Sequence, residues 1–279
     1  LYGQYMHYLG WMRRLEHQAE EGRTNMGRTL ASNVHAFICE KAVPWYIGSF
    51  ARRCDLVLVP SPGIKAILSE QAKDTPVMIL PTGIPDVFFA GPDQEAREVR
   101  QKWAPDGRHL FCTVSRLGKE KNIIFLLQAA SVYKKKRGDS FRLLIIGDGP
   151  EREDLEGQTN DLGLTGQISF MGSIPNERLN AFYHAADIFL FSSKTETQGI
   201  VLLEAMAAGI PVVALEASGV RDVVVAGSNG RLVNETVEEF VSALAHLCHD
   251  EDIYHTYALT ALTTARRFST APVAALAAT

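Results

Sequence analysis

DIFLFSSKTETQGIVLLEAMAAGIPVVAL, Asp187 to Leu215, is the stretch on which the fold turns. Its opening DIFLFSS is short, apolar and aromatic-rich, the signature of a buried strand. IVLLEAMAAG, Ile200 to Gly209, has the apolar period and alanine content of a helix stopped by glycine, and PVVAL follows as a second strand. Strand, helix and strand in so few residues make one beat of a parallel sheet. In open parallel sheets, ligands bind outside the carboxyl ends of the strands. Glu196 therefore stands at a crevice lip, and Glu204, eight positions on, lies one to two turns into the next helix.

The beat extends outward in both directions. Before the stretch come HLFCTVSRL, FRLLIIGDG and QISFMGS as strands, separated by NIIFLLQAASVYKKK, PEREDLEGQTNDLG and NERLNAFYHAA as helices. After it, the same rhythm is read through GVRDVVV and VEEFVSALAHLCH. Nearer the start, DLVLVPS and PVMILPTG are strands flanking PGIKAILSE, a helix opened by proline. The segment Ile84 to Arg108 carries three prolines and two glycines around a charged helix, as a connector would. The reading is α/β: two Rossmann-like, doubly wound parallel-sheet domains, over residues 1–86 and 87–279, with a cleft between them. The first fifty residues are less regular, and the chain begins LYGQYMHYLG with no initiator methionine. The expectation is a fragment whose first domain lacks its opening strands.

Composition narrows the function. The 279 residues are 46% hydrophobic and 22% charged, with Lys+Arg 28 against Asp+Glu 32 and a net charge of -4. That balance gives no support for a nucleic-acid partner. Cys39, Cys54, Cys112 and Cys248 are scattered without a paired spacing, which fits a reducing, cytoplasmic setting. No apolar run approaches the roughly 18 to 20 residues of a membrane span.

Three clusters fall at strand ends of the second domain. In SRLGKEKN, Arg116 and Lys121 lie between a strand and a helix start, where two cations and backbone donors suit a pyrophosphate. In IIGDGPERE, Gly147 and Gly149 sit at a strand-to-helix turn. A dinucleotide fingerprint would need glycine where Arg152 stands, and the next strand ends Phe170, Met171, Gly172 without the acid that binds a ribose. The glycines serve equally well as a tight turn. The third cluster is Glu196 to Glu204, where two carboxylates flank Gly199 and can bond sugar hydroxyls. A helix-dipole role would account for Glu196. It does not account for Glu204, set among Leu202, Leu203, Ala205 and Met206, where a buried acid needs a partner.

Taken in order, PTGI (Pro81 to Ile84), SRLGKEKN, IGDGPE, FMGSIP (Phe170 to Pro175), ADIFLFSS and Glu-x7-Glu followed by AMAAGIPVVA resemble the retaining GT-B glycosyltransferases called family 4. The likeness covers about Asp55 to Asn234. It implies a glycosyltransferase (hexosyltransferase) that needs no metal or cofactor, with a nucleotide sugar, UDP-glucose or a related UDP-hexose, as co-substrate. It implies that Arg116 and Lys121 neutralise the donor diphosphate, that Glu204 bonds the ribose and that Glu196 meets the transferred sugar. Backbone groups near Ser173 and Ile174 would meet the base, and those of Gly199, Ile200 and Val201 the sugar or phosphate, with Gly147 at the donor as well. TETQG, where many members have Gly or Ser and then Phe, resembles the subgroup that glycosylates diacylglycerol at the cytosolic membrane face, as does the tyrosine-rich start. That subgroup implies glycolipid synthesis, a lipid acceptor and peripheral membrane contact. The alternative is a protein or fragment that binds a nucleotide sugar without transferring it.

Other signals are set aside. The family's glycine-rich loop and active-site histidine are not found, and His7 does not replace them. Asp250 to Asp252 matches a metal-binding DxD but reads as a solvated helix terminus, and His246, Cys248 and His249 lack the paired spacing of a zinc site. KKKR, Lys134 to Arg137, reads as a solvated helix end. VPWYIGSFARR, Val43 to Arg53, reads either as an interfacial segment or as a core helix.

Overall fold

The computed structural model describes residues 43–278. LYGQYMHYLG, His7 and Cys39 lie outside the described residues. Two compact units are present: one ends at Pro81 and takes in Thr195–Thr197, and the other comprises Thr82–Lys194 and Gln198 onward. The division precedes the 86/87 boundary read from the sequence, and Ile84 is already buried in the core of the second unit.

In the first unit, residues 43–51 are helical, followed by β1 (Val57–Val59), α1 (Pro62–Ala72) and β2 (Val77–Ile79). Ser61 caps α1 by accepting from the Ile64 N–H, and Pro62 occupies the first turn, where its missing N–H is no loss. β1 and β2 pair in parallel, Val57 opposite Val77. Ala51, Val59, Ile64, Leu68, Ala72 and Val77 form its small core. The 43–51 helix contributes to that core through Ile47 and Ala51, while Trp45, Tyr46 and Phe50 are exposed.

The second unit runs α2 (Gln94–Trp103), β3 (His109–Val114), α3 (Ile123–Arg137), β4 (Phe141–Ile146), α4 (Arg152–Asp161), β5 (Ile168–Gly172), α5 (Asn176–Ala185), β6 (Ile188–Phe191), α6 (Ile200–Ala207), β7 (Val212–Leu215), β8 (Gly230–Val233), α7 (Val237–His249), α8 (Glu251–Arg266) and α9 (Thr270–Ala277). All six strands are parallel, in the order β5-β4-β3-β6-β7-β8. Alternate side chains face opposite layers. Leu110, Cys112 and Val114 of β3 enter one core with α5, α6 and α8, while Phe111 enters the other with α3 and α7. Both faces are covered, which is why the strands read as continuous apolar runs.

Two readings change. The Ile84 to Arg108 segment is no connector: α2 packs on the second unit, with Ala96 and Val99 buried and Arg100 bonded to the Ala185 carbonyl. GVRDVVV is not a strand but a turn-rich segment whose own Val220, Val223 and Val224 are buried. The strand that completes the sheet is β8, hidden in sequence by its glycine and arginine. Gly230 is required there, since a Cβ would lie 2.6 Å from the Val212 carbonyl oxygen.

Candidate active site

The direction of winding changes beside β3: β4 and β5 lie on one side, and β6, β7 and β8 on the other. The crevice at such a switch point opens outside the carboxyl ends of β3 and β6. SRLGKEKN leaves β3 and Ser192, Ser193 and Lys194 leave β6 at that place. Hydrogen bonds join the two loops: the Ser192 hydroxyl donates to the Lys121 carbonyl at 2.8 Å, and the Lys194 N–H donates to the Glu120 carbonyl at 3.0 Å. On the other flank, the Leu117 N–H donates to the Asp148 carbonyl at 2.9 Å, and the Gly147 N–H to the Gly172 carbonyl at 2.8 Å. The ends of β3, β4, β5 and β6 are thereby held in one frame.

Arg116 is exposed on this frame, and its guanidinium has no hydrogen-bond or ion-pair partner among the described residues. Lys121 is half-buried at the end of a short 3-10 turn, Lys119–Lys121. The next residue, Asn122, takes the left-handed conformation, φ 54°, and its side chain donates to Glu235 at 3.0 Å before α3 begins. That turn places Lys121 between the end of β3 and the start of α3.

Gly147 has φ 128°, and a Cβ there would lie 1.9 Å from the Ser115 carbonyl oxygen; at Gly149 it would lie 2.4 Å from that of Leu117. No side chain fits between these loops. The backbone explanation of both glycines is therefore sufficient by itself, whatever else Gly147 does. Ser173 and Ile174 occupy the turn between β5 and α5, Ser173 exposed and Ile174 partly buried against the core.

Gly199 precedes α6 with φ 70°, a conformation suited to glycine, and offers no side-chain cap. The N–H groups of Ile200 and Val201 have no acceptor inside the helix, as is general for a first turn. Glu204 is buried, and the Tyr183 hydroxyl donates to its Oε2 at 2.8 Å. This is the partner the sequence reading required but did not identify. Burial raises the Glu204 pKa above the usual carboxylate range, and the Tyr183 bond partly opposes the rise. One carboxylate oxygen, Oε2, is thus engaged by Tyr183. Glu196 belongs to Thr195–Thr197, which groups with the first unit, so it is described separately from Glu204.

Sequence reasoning missed Tyr183 and Gln198. Tyr183 reads as one more aromatic on an apolar helix face. Gln198 is 2% exposed and bonds the Thr82 backbone twice, a pairing across 116 positions that no local pattern signals. Asp250 accepts from the Ile253 N–H and so caps α8. Cys248 lies half-buried by Tyr133, its thiol pushed up to about 11 by burial. Among the described residues, no group of three or more His, Cys, Asp and Glu is arranged to hold a metal ion, and no helix is long and apolar enough to cross a membrane.

Comparison with known proteins follows the same frame. Alpha-monoglucosyldiacylglycerol synthase of Streptococcus pneumoniae is 34% identical over 177 residues, 62% of this chain and 40% of the relative. The enzyme of the same name from Acholeplasma laidlawii is 28% identical over 211 residues, 74% of this chain and 52% of the relative. The chain thus spans about half, or less, of the length of these relatives. Anabaena HepE, solved in complex with UDP and glucose, superposes with a TM-score of 0.74 at 22% identity, covering 82% of this chain and 64% of that one, a likeness of fold. The fold is that of the GT-B glycosyltransferases. A family model described as "Glycosyl transferases group 1" matches residues 95–261, from the first turn of α2 into α8. Parallel sheet, switch-point loops and matched span converge on one assignment: the chain belongs to the glycosyl transferases group 1 family.

Proposed function

We propose that the chain carries the donor-binding domain, and part of the acceptor-side domain, of a retaining, metal-independent glycosyltransferase that moves glucose from UDP-glucose to a hydroxyl of diacylglycerol. The observation that carries this reading is the joined pair of loops at the switch point, with Arg116 and Lys121 on one and the start of α6 on the other. The diphosphate develops charge as the sugar leaves, and fixed cations aimed there stabilise the transition state. Arg116 and Lys121 supply two positive charges for that task. Glu204, with Tyr183 on one oxygen, accepts from ribose hydroxyls through the other. The N–H groups of Ile200 and Val201 meet the sugar or phosphate, the backbone by Ser173 and Ile174 meets the base, and Gly147 lets the β4 loop come close to the donor. Glu196 faces the transferred hexose. In the retaining mechanism proposed, the acceptor hydroxyl attacks on the face the nucleotide leaves, and the departing phosphate oxygen receives its proton.

The lipid acceptor is supported by the names of the two relatives, both synthases of a glucosyldiacylglycerol product class. Peripheral contact with the cytoplasmic membrane face is supported by the exposed Trp45, Tyr46 and Phe50 beside Arg52 and Arg53. The test is to supply the complete protein with a panel of nucleotide sugars and diacylglycerol vesicles, with and without EDTA. Transfer from UDP-glucose undiminished by EDTA is expected, and its abolition by EDTA would overturn the metal-independent mechanism. Binding of UDP-glucose with no product from any acceptor would favour a binding protein instead. Within the site, Glu204→Ala should mainly weaken UDP binding, while Glu196→Ala should lower turnover with UDP affinity kept; the reverse pattern would exchange their roles.

A further inference from the structure

Gln198 occupies an unusual position for a polar side chain. It is 2% exposed, yet both ends of its amide are bonded: Oε1 accepts from the Thr82 N–H at 2.8 Å, and Nε2 donates to the Thr82 carbonyl at 3.0 Å. A glutamine side chain thus treats Thr82 as a neighbouring strand would, satisfying donor and acceptor of one residue together. The double bond makes burial of the amide tolerable, since an unpartnered amide in such a place is costly. Nothing aliphatic reproduces it.

The clamp joins two special points of the chain. Thr82 is the residue at which the chain enters the second unit after Pro81, and Gln198 is the residue at which it re-enters after Thr195–Thr197. The next residue is Gly199, whose left-handed backbone starts α6 and whose carbonyl accepts from the Leu202 N–H at 3.0 Å. Glycine is flexible and supplies no cap of its own, so the direction in which α6 begins must be held from outside. Thr82 is itself anchored downstream, because the Ile84 N–H donates to the Phe268 carbonyl at 2.7 Å and the Thr270 hydroxyl donates to the Ile84 carbonyl at 3.2 Å. Gln198 therefore ties a flexible loop end to a segment fixed by α8 and α9.

We propose that Gln198 is a positioning residue for sugar transfer: its grip on Thr82 holds the end of the loop before α6, and with it the Ile200 and Val201 N–H groups, in the geometry that the transition state needs. The inference rests on the donor-binding reading of this loop. It assigns Gln198 no contact with substrate. Misplacing reacting groups by about 1 Å can cost on the order of 100-fold in rate, whereas losing two bonds to a surface-exposed backbone residue affects stability little. Nucleotide affinity should also be spared, because Arg116 and Lys121 stand on the β3 loop, which Asp148, Ser192 and Lys194 hold without Gln198, and Glu204 is held by Tyr183.

The experiment compares the complete protein with its Gln198→Met and Gln198→Glu variants. It records kcat and KM for UDP-glucose with diacylglycerol vesicles, the UDP dissociation constant and the thermal midpoint. Gln198→Met should lower kcat about 10- to 100-fold while UDP affinity stays within about threefold and the fold melts near the wild-type temperature. Gln198→Glu keeps the acceptor for the Thr82 N–H but, when ionised, presents a second acceptor to the Thr82 carbonyl. Its activity relative to wild type should therefore rise as pH falls and the carboxyl regains a proton to donate. A Gln198→Met enzyme with kcat within about twofold of wild type would overturn the proposal, as would parallel loss of kcat and UDP affinity. If Gln198→Met fails to fold, the pH ratio of Gln198→Glu decides, and a flat ratio overturns it. Wild-type protein that neither binds UDP nor turns over UDP-glucose would overturn the donor-site reading itself, a result distinct from an indifferent Gln198 in an active enzyme.

Discussion

The two ends of β3 and β6 present the same residue type in opposite circumstances. At their amino ends, Arg100 from α2 donates to Asp187 at 2.8 Å, to the Ala185 carbonyl at 3.1 Å and to the Arg108 carbonyl at 3.2 Å. Asp187 also accepts from the Leu110 N–H at 2.7 Å, so one carboxylate ties the two strands and α2 together. At the carboxyl ends, Arg116 has no such partner among the described residues, although backbone bonds hold the loops around it firmly. A guanidinium whose donors are spent on carbonyls and a carboxylate serves the fold. One presented from a rigid frame with its donors available is the one that the proposed function assigns to the ligand. Charge alone does not separate the two; satisfaction of the donors does.

Substitutions at the two ends should separate accordingly. The largest effect belongs to Arg116→Ala, which should depress kcat on the order of 100-fold or more, the scale of removing one preorganised donor, while the thermal midpoint barely moves. A near wild-type rate would remove Arg116 from the mechanism. Arg100→Ala should do the converse, costing about 1–3 kcal/mol of stability in denaturant unfolding, because the Asp187 carboxylate and two carbonyls lose a charged donor. UDP affinity of the folded variant should be unchanged. If it falls with stability, the two ends are coupled and the contrast is weaker than drawn.

The smallest effect is one of pH. Burial raises the Glu204 pKa from the ordinary 4.5, so the folded protein holds this proton more tightly than the unfolded chain. Stability from this group is therefore greatest below that ordinary value and declines as pH rises through the interval up to the raised one. Glu204→Gln, which still accepts from Tyr183, should remove that decline and melt slightly higher than wild type at neutral pH, while binding UDP less well. Parallel stability curves for the two proteins across acid and neutral pH would mean that Glu204 ionises as freely folded as unfolded.

Much of this molecule was legible from residue order. Short apolar runs closed by glycine or proline located seven of the strands, because a sheet covered on both faces leaves no alternation to confuse. Arg116, Lys121 and Glu204 stood out because charge beside or within apolar segments demands a reason. Local pattern misled where its cause was not local. GVRDVVV is apolar because it is buried, not because it is extended, and β8 is a strand because β7 offers it a partner. The 84–108 segment carries the punctuation of a linker, yet Arg100 and Val99 fasten it to the second unit.

Sequence by itself determined that strands and helices alternate, that both sheet faces are buried, and which turns carry cations, glycines and acids, since these follow from the period and chemistry of neighbours along the chain. Only the tertiary structure decided that β6 lies beside β3, so that loops more than seventy positions apart share one crevice. The same holds for Tyr183 on Glu204 and Gln198 on Thr82. Strand order and long-range hydrogen bonds depend on how whole layers pack, and no window of residues contains that information.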